Sequence, residues 1–210
     1  MDKIKNIIFD LGGVIINLDV PKTINSFVNL GFTNFSSLYT QANQISAFDA
    51  FDKGTISPND FFKELKNVLN TDIDRKELIT AWNAMLLDFP EHRLRVLQQI
   101  KKQYRTFLLS NTNETHVTAF EQILQQQHGI SNLNNYFEKV YYSCRVKMRK
   151  PDSEIFKHVL SENNLIAEET VFIDDSEQHI KGALKLGIQA FLLDKEKDIV
   201  VLLKELKLLL

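Results

Sequence analysis

The chain has 210 residues, of which 44% are hydrophobic and 25% charged, a globular composition that excludes disordered, collagen-like and disulfide-stapled classes. Its 25 Lys and Arg stand against 27 Asp and Glu, a net charge of -2 with no basic block, so nucleic acid is not an expected partner. A single cysteine, Cys144, excludes an internal disulfide, and the scattered histidines offer no zinc-finger spacing; both point to a reducing, cytoplasmic compartment.

In chain order, the first predicted element is a strand over residues 4–9, closed by Asp10. That apolar run is too short for a signal h-region or a membrane span. From residue 21 to 87 no strand pattern occurs. Helical periodicity falls instead at 21–30, 35–51, 57–69 and 74–87, punctuated by a Lys53-Gly54 turn, a Ser57-Pro58 helix start and Pro90. The reading is an inserted helical subdomain, whose Phe27, Phe32, Tyr39, Phe48 and Phe51 supply a small core of its own. Strands then recur at 104–109, 140–143, 170–173 and 188–193. They alternate with helices at 92–103, 114–127 (capped by Asn113), 151–163 (with Pro151 in the first turn), 176–186 and 195–209. The last of these is amphipathic and is expected on the core rather than on a membrane. Alternation of this kind predicts an α/β, Rossmann-like parallel sheet with helices on both faces, plus the all-helical insert.

In open parallel sheets ligands bind beyond the carboxyl ends of the strands, so polar residues that follow apolar runs are the candidate site. Asp10 follows Ile7-Ile8-Phe9, Ser110-Asn111 follows Phe107-Leu108-Leu109, Asp174-Asp175 follows Val171-Phe172-Ile173, and Arg149-Lys150-Pro151 precedes a helix. Singly these read as a turn residue, a helix cap, a solvated lysine and a repelling acidic pair. Together they supply a carboxylate that can attack phosphorus, a hydroxyl with backbone amides, a neutralising lysine and hard oxygen ligands suited to Mg²⁺.

On these residues the chain resembles the haloacid dehalogenase-like hydrolases, most of which are phosphatases working through an aspartyl-phosphate. The resemblance rests on Phe9-Asp10-Leu11-Gly12-Gly13-Val14, Leu109-Ser110-Asn111, Arg149-Lys150-Pro151-Asp152 and Phe172-Ile173-Asp174-Asp175-Ser176, in that order. It implies a core of residues 1–17 and 88–210 and a helical cap at 18–87, with Phe51 to Ser57 as the cap turn and hinges near residues 17–19 and 88–90. It implies Asp10 as nucleophile, Ser110 with the amide of Asn111 as phosphoryl-binding pair, and Lys150 as their bridge. Gly12 and Gly13 would line the phosphate, and Asp10, the carbonyl of Gly12, Asp174 and Asp175 would hold Mg²⁺. The expected partner is a small phosphorylated metabolite; Leu109 to Asn113 and Met148 to Asp152 are most similar to bacterial phosphatases acting on α-D-glucose 1-phosphate.

Two positions depart from the family. Gly12 stands where most of these phosphatases carry a second Asp as general acid and base, a function that typically contributes about 10²–10⁴-fold. His179 stands where close relatives more often show Asn, and a structural role is expected of it. Other readings are a dehalogenase of the same fold, a phosphoacceptor signalling domain, and a phosphate-binding protein that lost turnover through Gly12. The adjacent Asp174-Asp175 pair argues against the first, because a metal-free site leaves those charges uncompensated. The second places its acidic pair before the acceptor, the reverse of the order here.

Overall fold

A computed structural model describes residues 4–39 and 46–209. Five parallel strands, β1 (Asn6–Phe9), β2 (Arg105–Ser110), β3 (Lys139–Tyr142), β4 (Thr170–Asp174) and β5 (Gln189–Leu192), form one sheet in the order β3-β2-β1-β4-β5. All four residues of β1 are buried, as expected of a central parallel strand covered on both faces. Phe9 lies opposite Leu108 on one side and Ile173 on the other, so Asp10, Ser110 and Asp174 leave the sheet along one edge. The strand order reverses at β1, which makes this edge the switch point where such sheets bind ligands.

The strand period of two sorts the core into two layers. Ile7, Phe9, Leu108 and Ile173 face one way, against α6 (Glu91–Ile100), α7 (Glu114–His128) and α11 (Ile199–Glu205), through Leu97, Phe120 and Leu203 among others. Ile8, Phe107, Leu109 and Phe172 face the other, against Ile155, Phe156 and Val159 of α9 (Ser153–Glu162) and Ile180 and Ala183 of α10 (Glu177–Leu184). The amphipathic C-terminal segment thus lies on the core as expected, with Leu202, Leu203 and Leu206 buried.

Between β1 and α6 runs the helical insert: α1 (Val20–Asn29), α2 (Phe35–Tyr39), α3 (Ser46–Asp52), α4 (Pro58–Leu69) and α5 (Arg75–Asn83). It has its own apolar cluster, including Phe27, Phe35, Phe48, Phe51, Phe61, Phe62 and Trp82. Phe27 stacks on Phe35 at 3.7 Å between centroids and Phe51 on Phe61 at 4.1 Å. Of the expected aromatic core, Phe27, Phe48 and Phe51 are buried and Phe32 packs against the cluster; the side chain of Tyr39 lies outside the described residues. Chain entry and exit run side by side, with Leu18 and Leu86 forming an antiparallel bridge. Asn17 N donates to Asp88 O, Leu87 N to Asn17 O and Asp19 N to Met85 O.

Ser57 and Asn113 cap α4 and α7 as their sequence positions suggest: their side chains accept from Asp60 N and His116 N. The expected helix at 35–51 instead comprises α2 and α3, and residues 40–45 lie outside the described part. Pro151 precedes α9 rather than opening it, because Asp152 takes the cap position. The helix expected to 87 ends at Asn83, where the chain turns into the ribbon beside Leu18. Sequence patterning did not find the four-residue α8 (Ser143–Val146), which follows β3 directly.

Candidate active site

Three groups of the site, Asp10, Ser110 and Asp174, are delivered by strand ends. Asp10 is the first residue beyond β1, Ser110 ends β2, and Asp174 ends β4; all three are buried. Lys150, fully buried, approaches from the loop before α9. Its Nζ donates to Asp10 Oδ1 at 2.7 Å and to Asp174 Oδ2 at 2.5 Å, and lies 5.4 Å from the centre of the Phe172 ring. The lysine is held by a pairing that the sequence did not reveal: the Asn111 side chain donates to Lys150 O at 2.8 Å and accepts from Lys150 N at 2.9 Å. Asn111 therefore contributes its side chain to positioning Lys150, in addition to the backbone amide expected near the phosphoryl group.

Asp174 is the most fully coordinated of the acids. Besides Lys150 it accepts from Ser176 N at 2.8 Å and from His179 Nδ1 at 2.9 Å. Burial would raise its pKa, but the charge of Lys150 and the bond from His179 outweigh that and bring it to about 2. Asp10 goes the other way. Burial, joined by the charges of Asp174 and Asp175, prevails over Lys150 and lifts it to about 7. His179 thus serves the acidic pair directly, through Asp174 rather than as a turn cap.

Asp175 lies under the turn that follows Asp10. Gly13 adopts φ 69°, and a Cβ there would stand 2.4 Å from Asp175 Oδ2, so glycine is required on both counts. Gly12 differs: its φ is ordinary, and a Cβ there would meet only the end of the flexible Leu18 side chain, Cδ1 at 2.6 Å.

Oxygen atoms of Asp10, Asp174 and Asp175 all lie within 4.8 Å of one another. Three carboxylates with one lysine leave an excess of buried negative charge, and every donor is a hard oxygen; the set fits Mg²⁺. One cavity of about 720 Å³ opens onto these groups. Its wall includes Asp10, Gly12, Ser110, Asn111, Asp175 and His179 from the core, and Ile24, Phe48, Asp52, Trp82 and Met85 from the insert. The structure thus brings the sequence-predicted residues together around one edge.

His116 and Ser143 escaped the sequence reading, which placed Asp52 only in the cap turn. Asp52 and His116 line the cavity, and Ser143 ties the insert to the core by accepting from Thr112 N at 2.8 Å and donating to Asp52 O at 2.6 Å. His116 stacks on Trp82, its Nε2–H donating to Trp82 O at 3.2 Å; burial lowers its pKa to about 4. The available signal was its position three residues after the capping Asn113, which reads equally well as an ordinary first-turn residue.

Comparison with known proteins agrees with this geometry. The model of the haloacid dehalogenase-like hydrolases matches residues 7–193. A D-ribitol-5-phosphate phosphatase of Bacteroides thetaiotaomicron is 30% identical, over 90% of this chain and 91% of its own. A crystal structure of a haloacid dehalogenase family enzyme from the same organism, an aspartate-to-alanine variant with magnesium and inorganic phosphate, superposes with TM-score 0.89 at 35% identity, covering 95% of this chain and 98% of that one. A predicted hydrolase of this type from Porphyromonas gingivalis superposes with TM-score 0.88 at 27% identity, covering 98% of each chain. Motif order, sheet topology and coverage agree: the chain belongs to the haloacid dehalogenase-like hydrolases, in the branch that holds the phosphatases.

Proposed function

We propose that the chain is a Mg²⁺-dependent phosphatase of a small organic phosphate, a sugar or polyol phosphate, that works through an aspartyl-phosphate on Asp10. The observation that carries this is the bridge from Lys150 to Asp10 and Asp174 at the sheet edge where Ser110 also emerges. Asp10 Oδ2 attacks phosphorus while Ser110 Oγ and the Asn111 amide hold phosphoryl oxygens and Lys150 neutralises charge. Asp10, the Gly12 carbonyl, Asp174 and Asp175 would hold Mg²⁺, which when bound screens the phosphate's negative charge. Water then releases phosphate and restores the carboxylate. Residues 1–17 and 88–210 act as the catalytic core and 18–87 as the cap that excludes water during transfer. The D-ribitol-5-phosphate phosphatase that matches nearly the whole chain supports a polyol or sugar phosphate as substrate. A cytoplasmic location suits the buried free thiol of Cys144.

The test is Mg²⁺-dependent phosphate release across a panel of sugar, polyol, nucleotide and acyl phosphates, with halide release from haloacids as the control for dehalogenation. Asp10→Asn is expected to lower turnover by at least about 10³-fold while leaving the melting transition in place. Near-normal turnover in that variant would remove Asp10 as nucleophile.

A further inference from the structure

The site lacks the family's usual proton donor and acceptor at Gly12, which has no side chain and borders the tip of Leu18. Chemistry on an alkyl phosphate still needs a group that protonates the leaving oxygen and later takes a proton from water. Among the described residues, the titratable groups on the cavity wall are Asp10, Asp52, His116, Arg149, Asp175 and His179. Asp10 and Asp175 are committed to nucleophile and cation. His179 is engaged with Asp174. The Arg149 guanidinium is a donor only and is held by Asp49. His116 spends its N–H on Trp82 O, and its Nδ1 faces Asn113 Nδ2 at 3.3 Å, so it has neither a free proton nor a free lone pair.

Resting on the phosphatase reading above, we propose that Asp52, contributed by the insert, is the general acid and base of this site. Its backbone is fixed to the core, because Asp52 O accepts from Ser143 Oγ, which in turn holds Thr112 N of the loop after Ser110. The next turn is seated as closely: a Cβ on Gly54 would stand 1.9 Å from Cys144 O. The side chain is therefore delivered to the phosphoryl-binding loop by the same contacts that close the insert on the core. Asn113 Nδ2 donates to Asp52 Oδ1 at 3.4 Å, no hydrogen bond among the described residues takes Oδ2, and the residue lines the cavity, which leaves one oxygen to carry the proton.

The surroundings suit the task. Burial raises the Asp52 pKa to about 6, against the charge of Arg149 and the bond from Asn113, while the charge of Asp49 adds to the rise. Arg149 is itself held by Asp49 at 2.8 Å, Lys53 pairs with Asp49 at 3.2 Å, and Cys144 and His116 are uncharged near neutral pH. No cation pairs directly with the Asp52 carboxylate among the described residues, so it is free to exchange its proton.

In the first step an Asp10 oxygen bonds to phosphorus as the bond to the leaving oxygen breaks. The electron pair stays on that oxygen, which takes the proton of Asp52. In the second, water oxygen bonds to phosphorus, its proton passes to the Asp52 carboxylate, and the bond to Asp10 breaks. The net reaction is ester plus water to alcohol plus phosphate.

Single-turnover release of phenols from a series of substituted phenyl phosphates, in the presence of Mg²⁺, reads the first step alone. The natural chain is expected to depend weakly on leaving-group pKa, and the loss of the Asp52 proton is expected to give its pH profile a descending limb. Asp52→Asn is expected to lose about 10²–10⁴-fold on the poorest leaving group, little on 4-nitrophenyl phosphate, and the pH limb with it. Asp52→Glu should restore part of the loss, and Asp52→Ser carries the same comparison if the amide does not fold. An unchanged leaving-group dependence and pH limb in a folded Asp52→Asn would overturn the proposal, as would an equal loss on every member, which marks a positioning role. Failure of the natural chain to release any phenol would instead remove the phosphatase reading itself.

Discussion

The core and the insert solve the same packing problem with different materials. The core is organised by strands: β1 hydrogen-bonds to a neighbour on each side and alternates its side chains between two apolar layers, so backbone pairing and burial enforce one register. The insert has no sheet among its described residues and depends on a nest of phenylalanines and Trp82 packed ring on ring. Strand ends carry Asp10, Ser110 and Asp174 to one edge, whereas the insert's share of the cavity wall is built on short helices, whose packing tolerates more variation.

The strongest way to sharpen this contrast is to remove the insert. Replacing residues 20–87 by a short linker is expected to abolish discrimination among sugar and polyol phosphates, while 4-nitrophenyl phosphate, whose leaving group needs no acid, still phosphorylates Asp10. A truncated, folded chain that kept the full substrate preference would show that selection resides in the core. A subtler break is Phe61→Ala, which removes a ring in contact with Phe48, Phe51, Phe62 and Trp82. A loss of about 3–5 kcal/mol is expected, with amide hydrogen exchange accelerated in α3, α4 and α5 before β1, β2 and β4. Uniform acceleration would mean that the two regions melt as one unit. The smallest expected effect is at their contact. Asp49→Asn breaks the partly exposed ion pair to Arg149 and frees that charge beside Asp52, so KM and kcat should each change by no more than about fivefold. A much larger loss of kcat would place that pair in the chemistry itself.

Most of the core site was legible because a strand buried on both faces reads as an uninterrupted apolar run, and the first polar residue after the run marks its end. Asp10, Ser110 and Asp174 were singled out in this way, and Lys150 by its place before a helix. Asp52 was not, since its role depends on the insert folding back onto the loop after β2, an encounter between residues some sixty apart in sequence. The side-chain role of Asn111 was hidden for a related reason: any Asn after a strand reads as a cap, and only its two bonds to the backbone of Lys150 distinguish it. The helix ends at 83 and 152 were misplaced because the ribbon at Leu18 and the cap at Asp152 override local helical periodicity.

The paired ribbon that carries the chain into and out of the insert has an evolutionary meaning. Because Leu18 and Leu86 are bridged partners, the ends of the interrupted chain sit about one strand spacing, roughly 5 Å, apart. The core therefore presents a port. Any excursion whose ends meet at that separation can be plugged into it, and the entropy of closing the excursion grows only with the logarithm of its length. Asp10, Ser110 and Asp174 are held by the sheet, so an excursion exchanged at this point would leave their pairing register in place. Where the proposed proton-transfer group travels with the excursion, such an exchange would retune the leaving groups accepted without changing a residue of the sheet.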